Sequence, residues 1–160
     1  MKTMTTIIFE AHSTSLDNEA GLASGQNDVE LSELGVRQSK ELGERYANQT
    51  FDAIFCSDLR RSYETARLAF GGRYPIIQDA RLRECDYGDM TQVSTKIVNP
   101  EKANRITVPF PGGESFEQCC ARMKSFLDDL ARDYDGKTVM IIGHRATQYG
   151  LEHVVNNVPI

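Results

Sequence analysis

The stretch Thr138-Val139-Met140-Ile141-Ile142-Gly143-His144 decides the fold of this chain. Its first five residues are apolar or β-branched with no polar alternation, which is typical of a strand buried on both faces. Strands of this kind belong to parallel sheets that are covered by helices on both sides. A glycine and a histidine follow directly, where the carboxyl end of a parallel strand meets the ligand-binding edge of its sheet.

Amphipathic helices are predicted on either side of this strand. Before it, Ser115 and Gln118 can form a capping box that begins a helix reaching about Tyr134. The apolar residues of that helix are spaced alternately by three and four, so one face can pack on a core. After the strand, a last helix is predicted from about Ala146 to Val155.

The alternation of apolar runs with helical segments continues towards the N-terminus. Further strands are predicted at residues 5–9, 53–56 and 75–77. One helix is predicted from an N-cap at Ser32 to about residue 47, and another from a cap at Ser57 or Asp58 to Gly71-Gly72. The intervening residues 15–31 and 85–114 are predicted to be loops or irregular. We therefore expect an α/β fold, a three-layer sandwich with a mostly parallel central sheet flanked by helices.

Composition limits the function classes further. The chain has 160 residues, 40% of them hydrophobic and 26% charged, which predicts one globular domain over residues 1–160. Its net charge of −5 argues against a nucleic-acid partner. No apolar run approaches the roughly 20 residues that span a bilayer, and Met1–Thr5 carry no secretory signal, so we expect a cytoplasmic protein without a membrane partner.

The four cysteines predict neither disulfides nor a metal centre. Cys56 ends an apolar strand, Cys119 and Cys120 lie within a helical pattern, and Cys85 is isolated. No CxxC spacing is present, so a zinc site is not predicted. We expect free and mostly buried thiols.

Two histidines follow predicted parallel strands in the same way. His12 comes shortly after the strand at residues 5–9, and His144 comes directly after the strand at residues 138–142. If the two strands are neighbours, both imidazoles lie at one crevice at the carboxyl edge of the sheet. A single loop histidine is usually structural, but two in matching positions favour a functional pair. His153, late in the last helix, is predicted to be structural or at the surface.

Arginines and one glutamate are placed to reach the same crevice. Arg60 and Arg61 lie in the first turn of the helix after the second strand, where a guanidinium can bind a phosphate through two parallel hydrogen bonds. We expect one of the two to be a solvated surface residue. Glu84 follows the third strand and, close to a phosphate, would have its pKa raised enough to act as a proton donor.

In the order of these segments the chain resembles the histidine phosphatase (phosphoglycerate mutase-like) superfamily over nearly its whole length. The matching segments are Ala11-His12-Ser13 with Asn18, Ser24–Asp28 with Leu31–Gly35, Ser57–Ser62, Leu82–Glu84 with Tyr87–Met90, Pro111–Ser115, and Ile142-Gly143-His144. One such motif is weak evidence, but six in the right order are specific.

The resemblance implies a mechanism that needs no metal or cofactor. His12 is the implied nucleophile that forms a phosphohistidine, and Glu84 is the implied acid and base. The resemblance implies that Arg61 and a positively charged His144 stabilise the equatorial oxygens of the phosphoryl group. Asn18, Ser13 and the backbone amides after His12 are implied to complete the phosphate site.

The chain departs from the family pattern beside the nucleophile. The motif arginine before the first histidine is replaced by Ala11, the glycine after it by Ser13, and Glu10 adds a negative charge nearby. Loss of one charged donor would cost on the order of 10²–10³ in rate. We expect Arg145 to replace the missing guanidinium. The alternatives for Arg145 are an ion pair with Glu10 or a position in solvent.

Three functions remain open at this stage. The first is a phosphomonoesterase acting on a small phosphorylated metabolite. The second is a phosphoglycerate mutase-type phosphotransferase, which is disfavoured because the segment between Met90 and Pro111 is too short for the insertion found in mutases. The third is a degenerate, non-catalytic member that binds a phosphorylated ligand or a protein.

If a terminal segment is missing after Ile160, the open sheet edge or pocket wall would favour a homodimer. Residues 91–110 would roof the pocket, and their cations Lys96, Lys102 and Arg105 are predicted to be solvated.

Overall fold

A computed structural model describes residues 4–160 of the chain. Met1–Thr3, part of the N-terminal stretch in which no secretory signal was expected, lie outside the described residues. The strands are β1 (Thr6–Ala11), β2 (Ala53–Cys56), β3 (Ile76–Gln78) and β4 (Thr138–Gly143). The α-helices are α1 (Leu16–Ala20), α2 (Glu33–Arg45), α3 (Arg60–Phe70), α4 (Thr95–Glu101), α5 (Phe116–Asp133) and α6 (Arg145–Asn156).

The four strands form one parallel sheet in the order β1-β4-β2-β3. The predicted parallel α/β sheet is thus confirmed, and β4 lies between β1 and β2 as its fully apolar sequence requires. Residues 139–142 are completely buried. The register pairs Ala11 with Gly143, so β1 and β4 end side by side.

Helices cover both faces of the sheet and complete three layers. On one face, Phe55, Val139 and Ile141 pack with α5 and α6. On the other face, the intervening residues of the same strands, such as Ile54 and Met140, pack with α2 and α3. Successive side chains of a strand point to opposite faces, which explains why every residue of β2 and β4 had to be apolar or small.

The helix starts are partly as predicted. The capping box of Ser115 and Gln118 begins α5, and the Ser32 hydroxyl accepts a hydrogen bond from Gly35 at the start of α2. The predicted cap of α3 is wrong: its N-cap is Leu59, with no side-chain cap. The Ser57 hydroxyl and the Asp58 carboxylate have other partners, because each is drawn into a contact with a distant residue.

Two segments predicted to be irregular contain short helices. Residues 15–31 include α1, which begins with a capping box between Ser15 and Asn18. Residues 85–114 include α4, which has Pro100 inside it, and two short 3₁₀ turns at 88–90 and 102–105. Neither helix is long enough for its periodicity to be recognised in the sequence. Both lie above the carboxyl edge of the sheet and form the walls of the cavity described below.

No helix among residues 4–160 is both long enough and apolar enough to cross a bilayer. All four cysteines are free and buried, as predicted.

Candidate active site

The ends of β1 and β4 bring the two predicted histidines together. The amide of His12 donates to the Gly143 carbonyl at 3.0 Å, which continues the ladder one residue past the strand. The centroids of the His12 and His144 rings lie 5.1 Å apart. This pairing follows from the register, since adjacent parallel strands are about 4.8 Å apart.

His12 is held in the form that a nucleophile needs. Its Nδ1 lies 2.7 Å from the Ser13 carbonyl oxygen, and a carbonyl can only accept, so Nδ1 carries the hydrogen. The other ring nitrogen, Nε2, therefore keeps its lone pair. Burial and the positive charge of Arg61 lower the pKa of His12 from 6.5 to about 4, although the bond to Ser13 opposes this. At neutral pH the imidazole is uncharged and able to attack.

His144 is completely buried beside His12. Its Nε2 lies 2.7 Å from the Ser57 hydroxyl, which already accepts from the Leu59 amide. The Ser57 hydroxyl therefore holds the ring in place through Nε2. In the described part of the chain, the buried Nδ1 of this ring has no hydrogen-bond partner.

The expected positive charge on His144 is not found. Burial, followed by the neighbouring His12 and Arg61, lowers the pKa of His144 well below its ordinary value. The ring is therefore neutral rather than an imidazolium, because a charged ring would lose its hydration without gaining a carboxylate partner.

The adjacent arginines have separate roles, as predicted. Arg60 lies at the surface with the carboxylates of Glu30 and Glu64. Arg61 is 1% exposed and donates to the carbonyls of Gly25 at 2.6 Å and Asn27 at 2.8 Å. Its Nε is buried without a partner within the described residues, although the side chain lines the cavity. A buried unpaired donor is costly, so this guanidinium suits an anionic ligand.

Glu84 lies across the same cavity from the histidine loop. Its side chain is buried, and Oε1 accepts from the amides of Cys85 at 2.8 Å and Ala146 at 3.2 Å. Ala146 belongs to the first turn of α6, so the carboxylate is attached to the helix that follows His144. The general acid predicted from sequence is therefore fixed close to the two histidines.

These side chains enclose a cavity of about 280 Å³. Five of the seven predicted site residues line it, namely His12, Asn18, Arg61, Glu84 and Arg145. Ala11, Ser24, Gly25, Tyr87, Asn99 and Lys102 are among the remaining lining residues. The lining therefore includes arginine, lysine and asparagine side chains, and the segments around α1 and α4 close the cavity.

Ser13 is not brought to the cavity. Its hydroxyl accepts from Ser39 at 2.9 Å, and its amide donates to the Thr65 hydroxyl at 3.0 Å. The amide of Thr14 likewise donates to Gln38. The amides after His12, which were expected to bind phosphate, are already bonded within the protein. The Ser13 hydroxyl and the Thr14 amide bind the loop to α2, and the Ser13 amide binds it to α3.

Arg145 begins α6 and lines the same cavity as Ala11. It is exposed, as the alternative of a position in solvent requires. The alternative ion pair with Glu10 is wrong, since Glu10 contacts Arg45 at 3.3 Å and the Tyr46 hydroxyl at 2.7 Å. Glu10 therefore adds no uncompensated negative charge to the cavity.

The cations of the roof divide between the cavity and the surface. Lys96 is exposed, as predicted, but the prediction of a solvated Arg105 is wrong, because its side chain is only 21% exposed and pairs with Glu101 and the Pro109 carbonyl. Lys102 differs, because it lines the cavity beside Asn99. Its ammonium also lies 5.7 Å from the ring centre of the buried Tyr87. The placement of Lys102 depends on the 3₁₀ turn after α4, which the sequence did not predict.

Sequence reasoning missed the residues that hold the site in place. Ser57 orients His144, and Thr65 holds the loop after His12. Gln26 and Arg122 donate to the Glu84 carbonyl at 3.1 Å each. Arg122 is partly buried on α5, and only a search for partly buried cations on amphipathic helices could have indicated it.

One cluster has metal-ligating side chains, and it lies behind the cavity rather than in its lining. The ligand atoms of Cys85, Glu114 and Cys119 lie within 4.8 Å of one another. The guanidinium of Arg122 contacts both Glu114 oxygens at 2.8 Å and already neutralises the carboxylate. The negative charge of Glu114 in this cluster is therefore balanced by Arg122.

The fold and the site together define a parallel α/β sandwich with paired histidines at the carboxyl edge of its sheet. A family model described as "Histidine phosphatase superfamily (branch 1)" matches residues 7–156. The chain belongs to this superfamily.

Relatives within the superfamily include both phosphatases and mutases. Phosphoserine phosphatase 1 of Hydrogenobacter thermophilus is 31% identical over 150 residues, which cover 88% of this chain and 71% of the relative. A 2,3-bisphosphoglycerate-dependent phosphoglycerate mutase of Rhizobium etli is 29% identical, covering 94% of this chain and 82% of the relative.

Solved structures share the fold. The mycobacterial glucosyl-3-phosphoglycerate phosphatase, solved in complex with VO3, matches with a TM-score of 0.83 and 26% identity. That match covers 95% of this chain and 82% of the other. The phosphoglycerate mutase-like architecture expected from sequence is confirmed.

Proposed function

We propose that this protein is a metal-independent phosphomonoesterase that hydrolyses a small phosphorylated metabolite through a phosphohistidine at His12. The observation that carries the proposal is the state of His12, which lines the cavity as a neutral imidazole with its hydrogen on Nδ1. A free Nε2 lone pair is the form required for attack on phosphorus. A purely binding site would have no need of it.

The first step transfers the phosphoryl group to the protein. Nε2 of His12 forms a bond to phosphorus while the bond from phosphorus to the ester oxygen breaks. Glu84, in its protonated form, gives its proton to the departing oxygen so that an alcohol leaves. The unpaired Nε of Arg61 is a buried donor available to the phosphoryl oxygens, and His144, with its unpaired Nδ1, lies beside His12.

The second step releases phosphate. Glu84, now a carboxylate, accepts a proton from water while the water oxygen attacks phosphorus and the bond to Nε2 breaks. His12 returns to the neutral state and Glu84 is again protonated, so both residues complete a cycle. Arg61 and Arg145 would hold positive charge near the oxygens during transfer.

One observation favours a small substrate and another favours hydrolysis over phosphotransfer. The cavity of about 280 Å³ lies just below the usual range for ligand sites, which favours a small substrate. The segment between Met90 and Pro111 holds only α4 and short turns, without the insertion expected of a mutase. The mutase function is the second candidate, favoured by the likeness to the Rhizobium etli mutase.

A cytoplasmic location is part of this proposal. The four free, buried thiols support it, because disulfides are rare in the reducing cytosol and common outside it.

The test is release of inorganic phosphate from p-nitrophenyl phosphate and a panel of sugar, glycerate and serine phosphates, with a chelator present. We expect wild type to hydrolyse some of them and His12→Ala to lose activity. His153→Ala is the matched control, because His153 bonds the Val158 carbonyl far from the cavity and should change nothing. Transfer of the phosphoryl group to a second hydroxyl without phosphate release would identify a mutase. No turnover by a folded wild type would overturn the proposal.

A further inference from the structure

Arg122 is a partly buried arginine whose hydrogen bonds converge on one loop. It lies on α5, with 19% of its side chain exposed, and its Nε and Nη2 bind the two oxygens of Glu114 at 2.8 Å each. Its remaining donors bind the carbonyls of Arg81 at 2.9 Å, Arg83 at 3.0 Å and Glu84 at 3.1 Å.

Glu114 fixes the other end of the same loop. Besides binding Arg122, its Oε2 accepts from the amide of Asp86 at 3.0 Å. Burial would raise the pKa of Glu114, but the bonds from Arg122 and Asp86 outweigh it and keep the pKa below its ordinary value. The pair is therefore ionised and holds the backbone on both sides of Glu84 through four hydrogen bonds.

We propose that Arg122, through Glu114, is a positioning residue that aims the Glu84 carboxyl at the leaving oxygen of the substrate. This inference rests on the proposed phosphatase function. The Glu84 side chain is itself held by the amides of Cys85 and Ala146. Those bonds fix the carboxyl only if the loop keeps its place relative to α6. Arg122 supplies that constraint from α5, the helix packed beside α6.

A lysine cannot replace this arginine. The guanidinium spreads its donors over a rigid plane and here reaches five oxygens, whereas an ammonium concentrates three donors on one nitrogen. Arg122→Lys therefore keeps the charge beside Glu114 but releases the carbonyls. Because a displaced acid loses most of its effect, and general acid catalysis contributes about 10²–10⁴ in rate, the defect should be large where protonation matters.

The test compares leaving groups in the full-length protein. p-Nitrophenolate leaves without protonation, whereas an alkoxide does not. For Arg122→Lys we expect kcat on an alkyl phosphate to fall at least ten times more than kcat on p-nitrophenyl phosphate, as for Glu84→Gln. Arg81→Lys is the matched control, because the Arg81 side chain contacts Asp79 and Asp129 instead and should leave the ratio unchanged.

Backbone amide exchange measured by NMR gives a second readout that needs no turnover. We expect Arg122→Lys to raise the exchange rates of the Cys85 and Ala146 amides relative to wild type, and Arg81→Lys to leave them unchanged. Glu114→Gln, with Arg122 intact, serves if the lysine variant does not fold. An unchanged leaving-group ratio, or unchanged exchange at both amides, would overturn the positioning role. A wild type that hydrolyses neither ester instead overturns the proposed function on which this role rests.

Discussion

Replacement of Arg145 by alanine tests whether this residue does the work of the arginine missing at position 11. Ala11 ends β1 directly opposite Gly143 on β4, and Arg145 follows two residues later at the start of α6. Both line the same cavity. A guanidinium extending from position 145 can therefore enter the space that a side chain at position 11 would occupy.

The size of the effect follows from the exposure of the side chain. A hydrogen bond to a charged group contributes about 1.5–3 kcal/mol, and solvent around the exposed Arg145 places it towards the lower half of that range. About 2 kcal/mol corresponds to a loss of roughly 30-fold in kcat/KM. We expect Arg145→Ala to lose this factor on p-nitrophenyl phosphate, while Arg60→Ala, whose partners lie outside the cavity, changes little.

The second half of the test restores a guanidinium from position 11, at the end of β1. Ala11 is exposed, so Ala11→Arg can be accommodated, and in the Arg145→Ala background it should recover most of the lost kcat/KM. Steady-state phosphate release for wild type, the two single variants and the double variant is sufficient. Unchanged kinetics in Arg145→Ala, or no recovery in the double variant, would refute the reasoning.

Three further predictions concern pH, substrate and packing. Because the pKa of His12 is lowered to about 4, the acidic limb of kcat/KM should lie near pH 4 instead of 6.5, and an NMR titration of the ring should give the same midpoint. Between pH 6.5 and pH 4, His12 is protonated in the unfolded chain but not in the folded protein. The free energy of unfolding should therefore decline as pH falls through this range, and it should decline less in His12→Ala. Lys102→Met should raise KM about fivefold for monoesters that carry a carboxylate, with no such rise for a neutral alcohol ester, since Lys102 lines the cavity. Gly35→Ala would drive a Cβ into the Thr14 carbonyl and should cost about 1–3 kcal/mol, lowering Tm by several degrees, whereas Gly72→Ala meets nothing within 4 Å and should not.

Much of the candidate site was accessible from local patterns. His12 and His144 each follow an apolar strand, and parallel strands present their carboxyl ends at one edge, so their convergence was predictable. Glu84 is separated from β3 by a 3₁₀ turn at 80–82 and lines the same cavity as His12. Ser13 shows the limit of this reasoning. Its position next to His12 suggested a phosphate contact, yet Ser39 and Thr65 hold it away from the cavity. Those partners come from α2 and α3, and sequence proximity carries no information about them.

The charge states were also beyond the sequence. His144 was expected to be positive, but a completely buried ring with a hydroxyl and no carboxylate as its neighbour stays neutral. Protonation depends on desolvation and on the groups facing a side chain from every element around it. These are properties of packing, and a motif does not specify them.

The sequence alone determined the layer architecture, because hydrophobic periodicity is local and reports which face of each strand or helix is buried. It also placed His12 and His144 just after predicted strands, and the family resemblance, carried by six motifs, gave the expected nucleophile and acid. Only the tertiary structure decided that Arg145 and Lys102 line the cavity, that Ser13 does not, and that Arg122 holds the loop of Glu84. These contacts join residues far apart in the chain, and their geometry depends on how helices pack across the sheet.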